Sequence, residues 1–186
     1  MMAQTATANL VFTQLNDVEQ ELLNGCLDKN RAAQKKLYLR YSTAMYTLAY
    51  RITNDQDAAH DVLQDAFIEV FRDLHTFKAK STLGAWIKTI VARKAGKQVK
   101  FEQRYEALEI DLHDTAVPYE DIASILLEKI IAMLPIGCRT VFTLFEIEGY
   151  KHKEIANMLN IAESTSRTQL LHAKKLLREQ LKGEMS

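Results

Sequence analysis

Ser164, Thr165, Arg167, Thr168 and His172 fall within a short stretch and, on a helix, share one side. Their chemistry is recognition rather than bond-making. Hydroxyls donate and accept, imidazole bridges, and a planar guanidinium fork matches the O6 and N7 acceptors of guanine. Such a row needs a support behind it, and Leu170, Ala173 and Leu177 supply one at spacings of three and four. A second helix must pin that support. Ile155, Ala156 and Leu159 share a face, and small Ala156 lets two helices cross closely. Asn160 stands where the chain must turn, because its short amide tolerates positive φ, and Ile161 plugs the corner. Residues 149–177 therefore predict a helix-turn-helix whose second helix enters a DNA major groove. The competing reading is an ordinary helical hairpin in a core. One local fault stands out: Ala162 is a poor N-cap, costing about 1 kcal/mol unless the helix starts later at Ser164.

Two further constellations carry charge. Asp61, Gln64, Asp65 and Glu69 recur at three to five residues on one face of a predicted helix, 58–74. That face reads as a solvated stripe, a docking surface for a basic or polar partner, or a weak metal site with His60. No second His or Cys completes a ligand set, so no metal and no cofactor is expected. A helix beginning near Leu83, capped by Ser81 or Thr82, carries Lys88, Arg93, Lys94, Lys97 and Lys100 around Leu83, Ile87, Ile90 and Val91. Cations on such a helix can hold a phosphate backbone. Trp86, the sole tryptophan, is either a platform for an unstacked base or a core anchor.

The elements behind these sites are helical. In 186 residues there are 6 Gly and 2 Pro, few breakers for a chain nearly half hydrophobic, and no run alternates with period two. The pattern predicts helices over 17–27, with Val18, Leu22 and Cys26 in register, and over 31–53, with Leu37, Tyr41, Ala44, Met45, Leu48 and Ile52 inward. Further helices are expected over 58–74, from 83, over 120–133 and over 137–148, the last offering Val141, Phe142, Leu144, Phe145 and Ile147. Residues 102–119 lose periodicity, are acidic and read as a linker between domains 17–101 and 120–182. Net charge is zero, yet it is segregated: 55–73 acidic, 78–104 basic, 106–128 acidic and the C-terminal helices basic. Cys26 and Cys138 sit among apolar residues and read as small core residues of a reducing compartment. The N-terminus has neither the basic region nor the apolar run of a signal peptide, and no stretch has the length of a membrane span. A cytoplasmic protein without membrane insertion is expected. No nucleophile motif or phosphate cradle is found, so neither enzymatic activity nor a small-molecule substrate is expected.

Four stretches, in this order and spacing, resemble an extracytoplasmic-function (group IV) sigma factor of the sigma-70 family of bacterial RNA polymerase. They are Leu37 to Tyr41 with Leu48 to Thr53; Asp57 to Phe67; Phe77 with Leu83, Trp86, Ile87 and Ile90; and Leu134-Pro135 through Glu148-Gly149-Tyr150, Glu154-Ile155-Ala156 and Leu159-Asn160-Ile161 to Thr165, Leu170, Ala173, Lys174 and Leu176. The resemblance implies an all-α protein of two helical domains joined by a flexible linker. Region 2 would melt and read the −10 promoter element with Lys80, Ser81, Thr82, Trp86, Lys88, Arg93, Lys94 and Lys97. It would grip the β′ clamp of core polymerase with Asp61, Gln64, Asp65 and Glu69. Region 4 would read the −35 element with Glu163, Ser164, Thr165, Arg167, Thr168 and Gln169, hold phosphate with Lys151, Lys153, His172 and Lys174, and touch the β flap. An anti-sigma factor is the further partner the resemblance implies. Departures from the family pattern are Ser166 for Val, Gln169 for Arg, Arg93 for Asn and Gly96 for Leu. The alternatives are a stand-alone helix-turn-helix regulator with an N-terminal helical sensor domain and, in a different class, an α-helical enzyme or metal protein using His60, Asp61 and Asp65.

Overall fold

A computed structural model describes residues 17–105 and 122–184. Among them the secondary structure is helical throughout, with no strand. The helices are α1 (Asp17–Leu27), α2 (Arg31–Thr53), α3 (Gln56–Asp73), α4 (Leu83–Tyr105), α5 (Ile122–Ala132), α6 (Ile136–Phe142), α7 (His152–Leu159) and α8 (Glu163–Glu184). Among the described residues, contacts group 17–49 and 57–94 in one compact unit, and 50–56, 95–105 and 122–184 in a second. The helix expected from 83 runs to Tyr105, and most of the expected linker lies outside the described residues.

In the first unit, each helix boundary has a local cause. Lys29 takes positive φ to end α1, and Asn30 caps α2 by accepting from the backbone N–H of Ala32 (2.9 Å) and Ala33 (3.3 Å). Leu37, Met45 and Leu48 of α2 and Val62, Leu63, Ala66, Phe67 and Val70 of α3 are buried as their spacing predicts. Val18 and Ala44, expected inward, are exposed. Asp73 leads into a short 3₁₀ turn, Leu74–Thr76, before a loop to Thr82. Of the two cap candidates for α4, it is Thr82 whose Oγ1 accepts from Ala85 N–H, at 3.2 Å.

The second unit is anchored by one arginine. Arg139 of α6 is buried, and its guanidinium donates to the carbonyls of Ile52 (3.2 Å), Thr53 (3.1 Å), Ala132 (2.8 Å) and Leu134 (3.4 Å). Those of Ile52, Thr53 and Ala132 are carbonyls at the ends of α2 and α5, which the helices themselves leave without donors. A positive charge at helix C-termini also opposes the negative end of each dipole. Around it pack Ile130, Ile131, Leu134, Cys138, Ala173 and Leu177, with Phe142 and Leu176 against them. The predicted 137–148 helix is instead α6 followed by a wider π turn, Thr143–Ile147, which leaves Ile147 exposed. In α4, a Cβ at Gly96 would lie 2.3 Å from Leu159 Cδ2. The close approach of Leu159 explains the glycine, whose cost to the helix is about 1 kcal/mol.

Candidate nucleic-acid interface

α7 and α8 form the expected corner. The N–H of Lys151 donates to Glu154 Oε2 at 2.8 Å, closing the start of α7. Asn160 ends it at φ 51° and ψ 55°, the left-handed conformation its amide was expected to tolerate. Ile161 N–H then donates to Ala156 O at 3.0 Å, tying the turn back to α7. α8 begins at Glu163, so Ala162 does occupy the cap position and Ser164 does not take it over. Glu163 in the first turn supplies the negative charge the dipole favours.

The missing cap has a buried counterpart one turn in. Ser166 is fully buried, and its Oγ lies 2.9 Å from His152 Nδ1. His152 in turn stacks on Phe145 with centroids 4.4 Å apart. The position expected to lose an apolar anchor is therefore still an inward one, holding α7 to α8 by a hydrogen bond in place of a methyl contact. Ser166, Leu170, Ala173 and Leu177 form one register of buried positions, and α8 packs through it on α6 and α7.

The opposite side of α8 is open. Ser164, Thr165, Arg167, Thr168 and His172 are exposed together. Among the described residues, Arg167 pairs along its own helix, with Glu163 one turn earlier, and stays 63% exposed. Lys151 and Lys153 are exposed at the start of α7. Other expected contacts are already engaged. Lys174 reaches Glu146 at 2.7 Å. Gln169 is half-buried against α6, where a Cβ at Gly137 would meet its Nε2 at 2.6 Å. His172 Nδ1 lies 3.8 Å from Cys138 Sγ, and burial pushes the Cys138 thiol pKa up.

In the first unit the acidic and basic sets meet. Asp61, Gln64 and Asp65 of α3 are exposed, whereas Glu69 is largely covered. Arg93 of α4 pairs with Glu69, and Lys94 Nζ lies 3.3 Å from Glu69 and 3.7 Å from Asp65. Two of the expected phosphate holders are thus stationed by two of the expected docking residues. Lys80, Ser81 and Thr82 are exposed and Lys88 is half-buried, while Lys97, in the second unit, is exposed. Trp86 is also half-buried, its ring tilted on Phe77 with centroids 5.5 Å apart. Its ring is anchored on Phe77, and the rest of it is partly exposed. In the loop, buried Ala79 holds φ 51° between exposed Lys78 and Lys80. An L-residue in that conformation costs about 1 kcal/mol, which its burial offsets. Among the described residues, no three His, Cys, Asp or Glu side chains gather in a way that could hold a metal ion, and no helix is long and apolar enough to cross a membrane.

Two family models match this chain. Sigma-70 region 2 covers residues 37–105, which hold α3, the loop and α4. Sigma-70 region 4 covers 124–177, which hold the helix-turn-helix. The chain is an extracytoplasmic-function sigma factor of the sigma-70 family. This sigma factor is similar to the sigma-H factor of Pseudomonas aeruginosa, 25% identical over 90% of this chain and 94% of that one. It is similar too to SigX of Bacillus subtilis, 27% identical over 78% and 81%, and to the sigma-E factor of Escherichia coli, 25% over 88% and 93%. Two solved structures share its fold. One is CnrH in complex with the cytosolic domain of CnrY, with TM-score 0.55, 21% identity and coverage of 90% and 99%. The other is RpoE of Bartonella quintana in complex with the anti-sigma factor NepR, with TM-score 0.53, 23% identity and coverage of 80% and 96%.

Sequence reasoning about this sigma factor overlooked Arg139 and the hydrogen bond between Ser166 and His152. Both had a signal. Ser166 is four before Leu170, in the register of the buried stripe, and Arg139 lies between Cys138 and Val141 in an apolar segment. The pairing of Arg93 and Lys94 with α3 joins residues distant in the chain and left no periodic trace.

Proposed function

We propose that this sigma factor binds core RNA polymerase and directs where transcription starts by dividing promoter recognition between its two matched regions. α3 offers Asp61, Gln64 and Asp65 to the β′ clamp, where carboxylates and amides pair with arginines across an interface. The Lys78–Thr82 loop takes an extruded base of the −10 element, with the exposed part of Trp86 as a stacking surface. Lys88, Lys97 and, once released from Glu69, Arg93 and Lys94 hold phosphates of the same segment. α8 enters the major groove of the −35 element. Arg167 reads a guanine, Ser164 and Thr168 contact neighbouring edges, and Lys151 and Lys153 fix the register on phosphate. The same region meets the β flap. No covalent step is assigned to any of these residues.

The observation that supports this reading most is the two-sidedness of α8. Its back is buried on α6 and α7, and its front presents Arg167, Ser164 and Thr168, the partner of Arg167 among the described residues being on its own helix. Such an exposed pair one turn apart contributes roughly 0.3–0.5 kcal/mol, so DNA displaces Glu163 at little cost. The similar structure solved with the anti-sigma factor NepR supports an anti-sigma factor as a partner here too. Affinity capture from the native host tests that partner, and constitutive activity with no bound protein counts against it.

The test of the main reading is run-off transcription with bacterial core polymerase on a randomised promoter library. Arg167→Ala should relax one −35 position at a cost of about 1–3 kcal/mol, while Lys97→Ala should weaken all promoters alike. Failure to associate with core, or association without a change of start site, overturns the reading. Identical behaviour of the two variants overturns the division between readers and phosphate clamps.

A further inference from the structure

Leu171 is the most exposed large apolar residue among those described, at 70%. It contributes nothing to the packing of α8, whose buried positions are Ser166, Leu170, Ala173 and Leu177. At 100° per residue it falls near the middle of the outward stripe. Arg167 and Thr168 lie one turn before it, and Lys175 and Arg178 one and two turns after. All four of those neighbours are exposed and polar or charged. An aliphatic side chain centred on a cationic, hydrogen-bonding row has no apolar neighbour of its own to cover it there. The surface it faces is the one that α8 turns toward duplex DNA, so this inference rests on the −35 reading.

We infer that Leu171 is a specificity residue that reads the C5-methyl group of a thymine in the major groove of the −35 element. The chemistry follows from what the groove offers. Of the base edges there, only thymine presents an apolar group, and an aliphatic side chain is the complementary probe. The spacing fits as well. Leu171 is four residues beyond Arg167, about 6 Å along the helix axis, or about two base-pair steps. Arg167 and Leu171 thus specify a guanine and a thymine close together in one element. Lys175 and Arg178 lie beyond them on the same stripe, where they hold phosphate. Burying one methyl group contributes about 0.8 kcal/mol, so its deletion should be read as a loss of about fourfold in affinity.

The experiment uses the full chain assembled with core polymerase. The probe is a promoter duplex selected from a library randomised at the −35 element. Each thymine of that element is replaced singly by deoxyuridine, which removes the methyl group and keeps the hydrogen-bonding edge. The wild type should lose about fourfold at one thymine, within about two base pairs of the position that Arg167→Ala relaxes. Leu171→Ala should bind the thymine duplex about fourfold more weakly than the wild type and should no longer distinguish thymine from deoxyuridine. Arg167→Ala should still distinguish them. Leu171 is exposed, so its loss leaves the fold intact, and Leu171→Met should restore the discrimination. Equal wild-type binding at every substituted position overturns the inference, as does a selected element lacking thymine near the Arg167-dependent base. So does a Leu171→Ala variant that still discriminates. Each of these leaves the −35 reading standing. That reading fails separately, if Arg167→Ala and scrambled −35 elements bind as the wild type does.

Discussion

The two units of the protein use polar side chains in different ways. In the first, ion pairs lie at the surface, where Arg93 and Lys94 of α4 meet Glu69 and Asp65 of α3 over a core that is apolar without them. The second also carries surface pairs such as Lys174 with Glu146, but it buries polar groups as well. Arg139 closes the carbonyls at two helix ends, and Ser166 ties α8 to His152 of α7. The difference teaches where a polar contact carries stability and where it tunes binding. A surface pair is screened and exchangeable, so breaking it changes the field that a ligand meets. A buried donor leaves orphaned acceptors when it is removed, so breaking it changes the fold first.

The largest test of that contrast is Arg139→Ala. It strands buried carbonyls and should destabilise the second unit by about 3 kcal/mol. Trp86 is the sole tryptophan and belongs to the first unit, so its fluorescence reports that unit alone. In urea, the helical circular-dichroism transition should shift to lower concentration while the Trp86 transition stays in place. Equal shifts of both signals would erase the distinction between the units. Ser166→Ala comes next, at about 1 kcal/mol, because half-buried His152 can turn to water once its partner is gone. Hydrogen exchange should show the loss confined to α7 and α8.

Glu69→Gln probes the other side of the comparison. Stability should change by less than about 1 kcal/mol, since both partner cations are partly exposed. Promoter affinity should become more salt-dependent, with the slope of log K against log salt steeper by about one for each cation released. An unchanged slope would mean that Arg93 and Lys94 never reach phosphate. The smallest effect should be common to the two units. Burial pushes the thiols of Cys26 and Cys138 up, one in each unit. Their folded-state pKa values are raised, so the stability they contribute is fully present below the ordinary thiol range. It is lost as pH rises through the folded values, because the unfolded chain gives up those protons first. Thermal melts should therefore soften at alkaline pH. The Cys26→Ala and Cys138→Ala variants should each show less of that decline.

Local rules were legible in the sequence and long-range partnerships were not. Asn160 could be placed, and the cap of α4 narrowed to Ser81 or Thr82, because a turn or a cap depends on a few neighbouring residues. The buried stripes of α2 and α3 followed from spacing, apart from edge positions such as Val18 and Ala44, where a neighbouring helix decides what is covered. The exposed row of α8 was readable for the same reason. What escaped were residues whose meaning lies in a partner far along the chain. Gly96 reads as a weak point of its helix until Leu159 is seen against it. Ser166 reads as a lost anchor until His152 is seen beside it. Arg93 and Lys94 read as free cations until α3 is placed alongside. The π turn after α6 depends on packing that no periodicity encodes.

Arg139 also sets an order of events on the ribosome. The carbonyl of Ile52 receives its donor from a residue 87 positions later in the chain. At a synthesis rate of about 5–20 residues per second, the tail of α2 waits roughly 4–17 s with its last acceptors facing water. The nascent protein can thus complete its first unit before the closing arginine emerges, and maturation of the second unit follows that of the first.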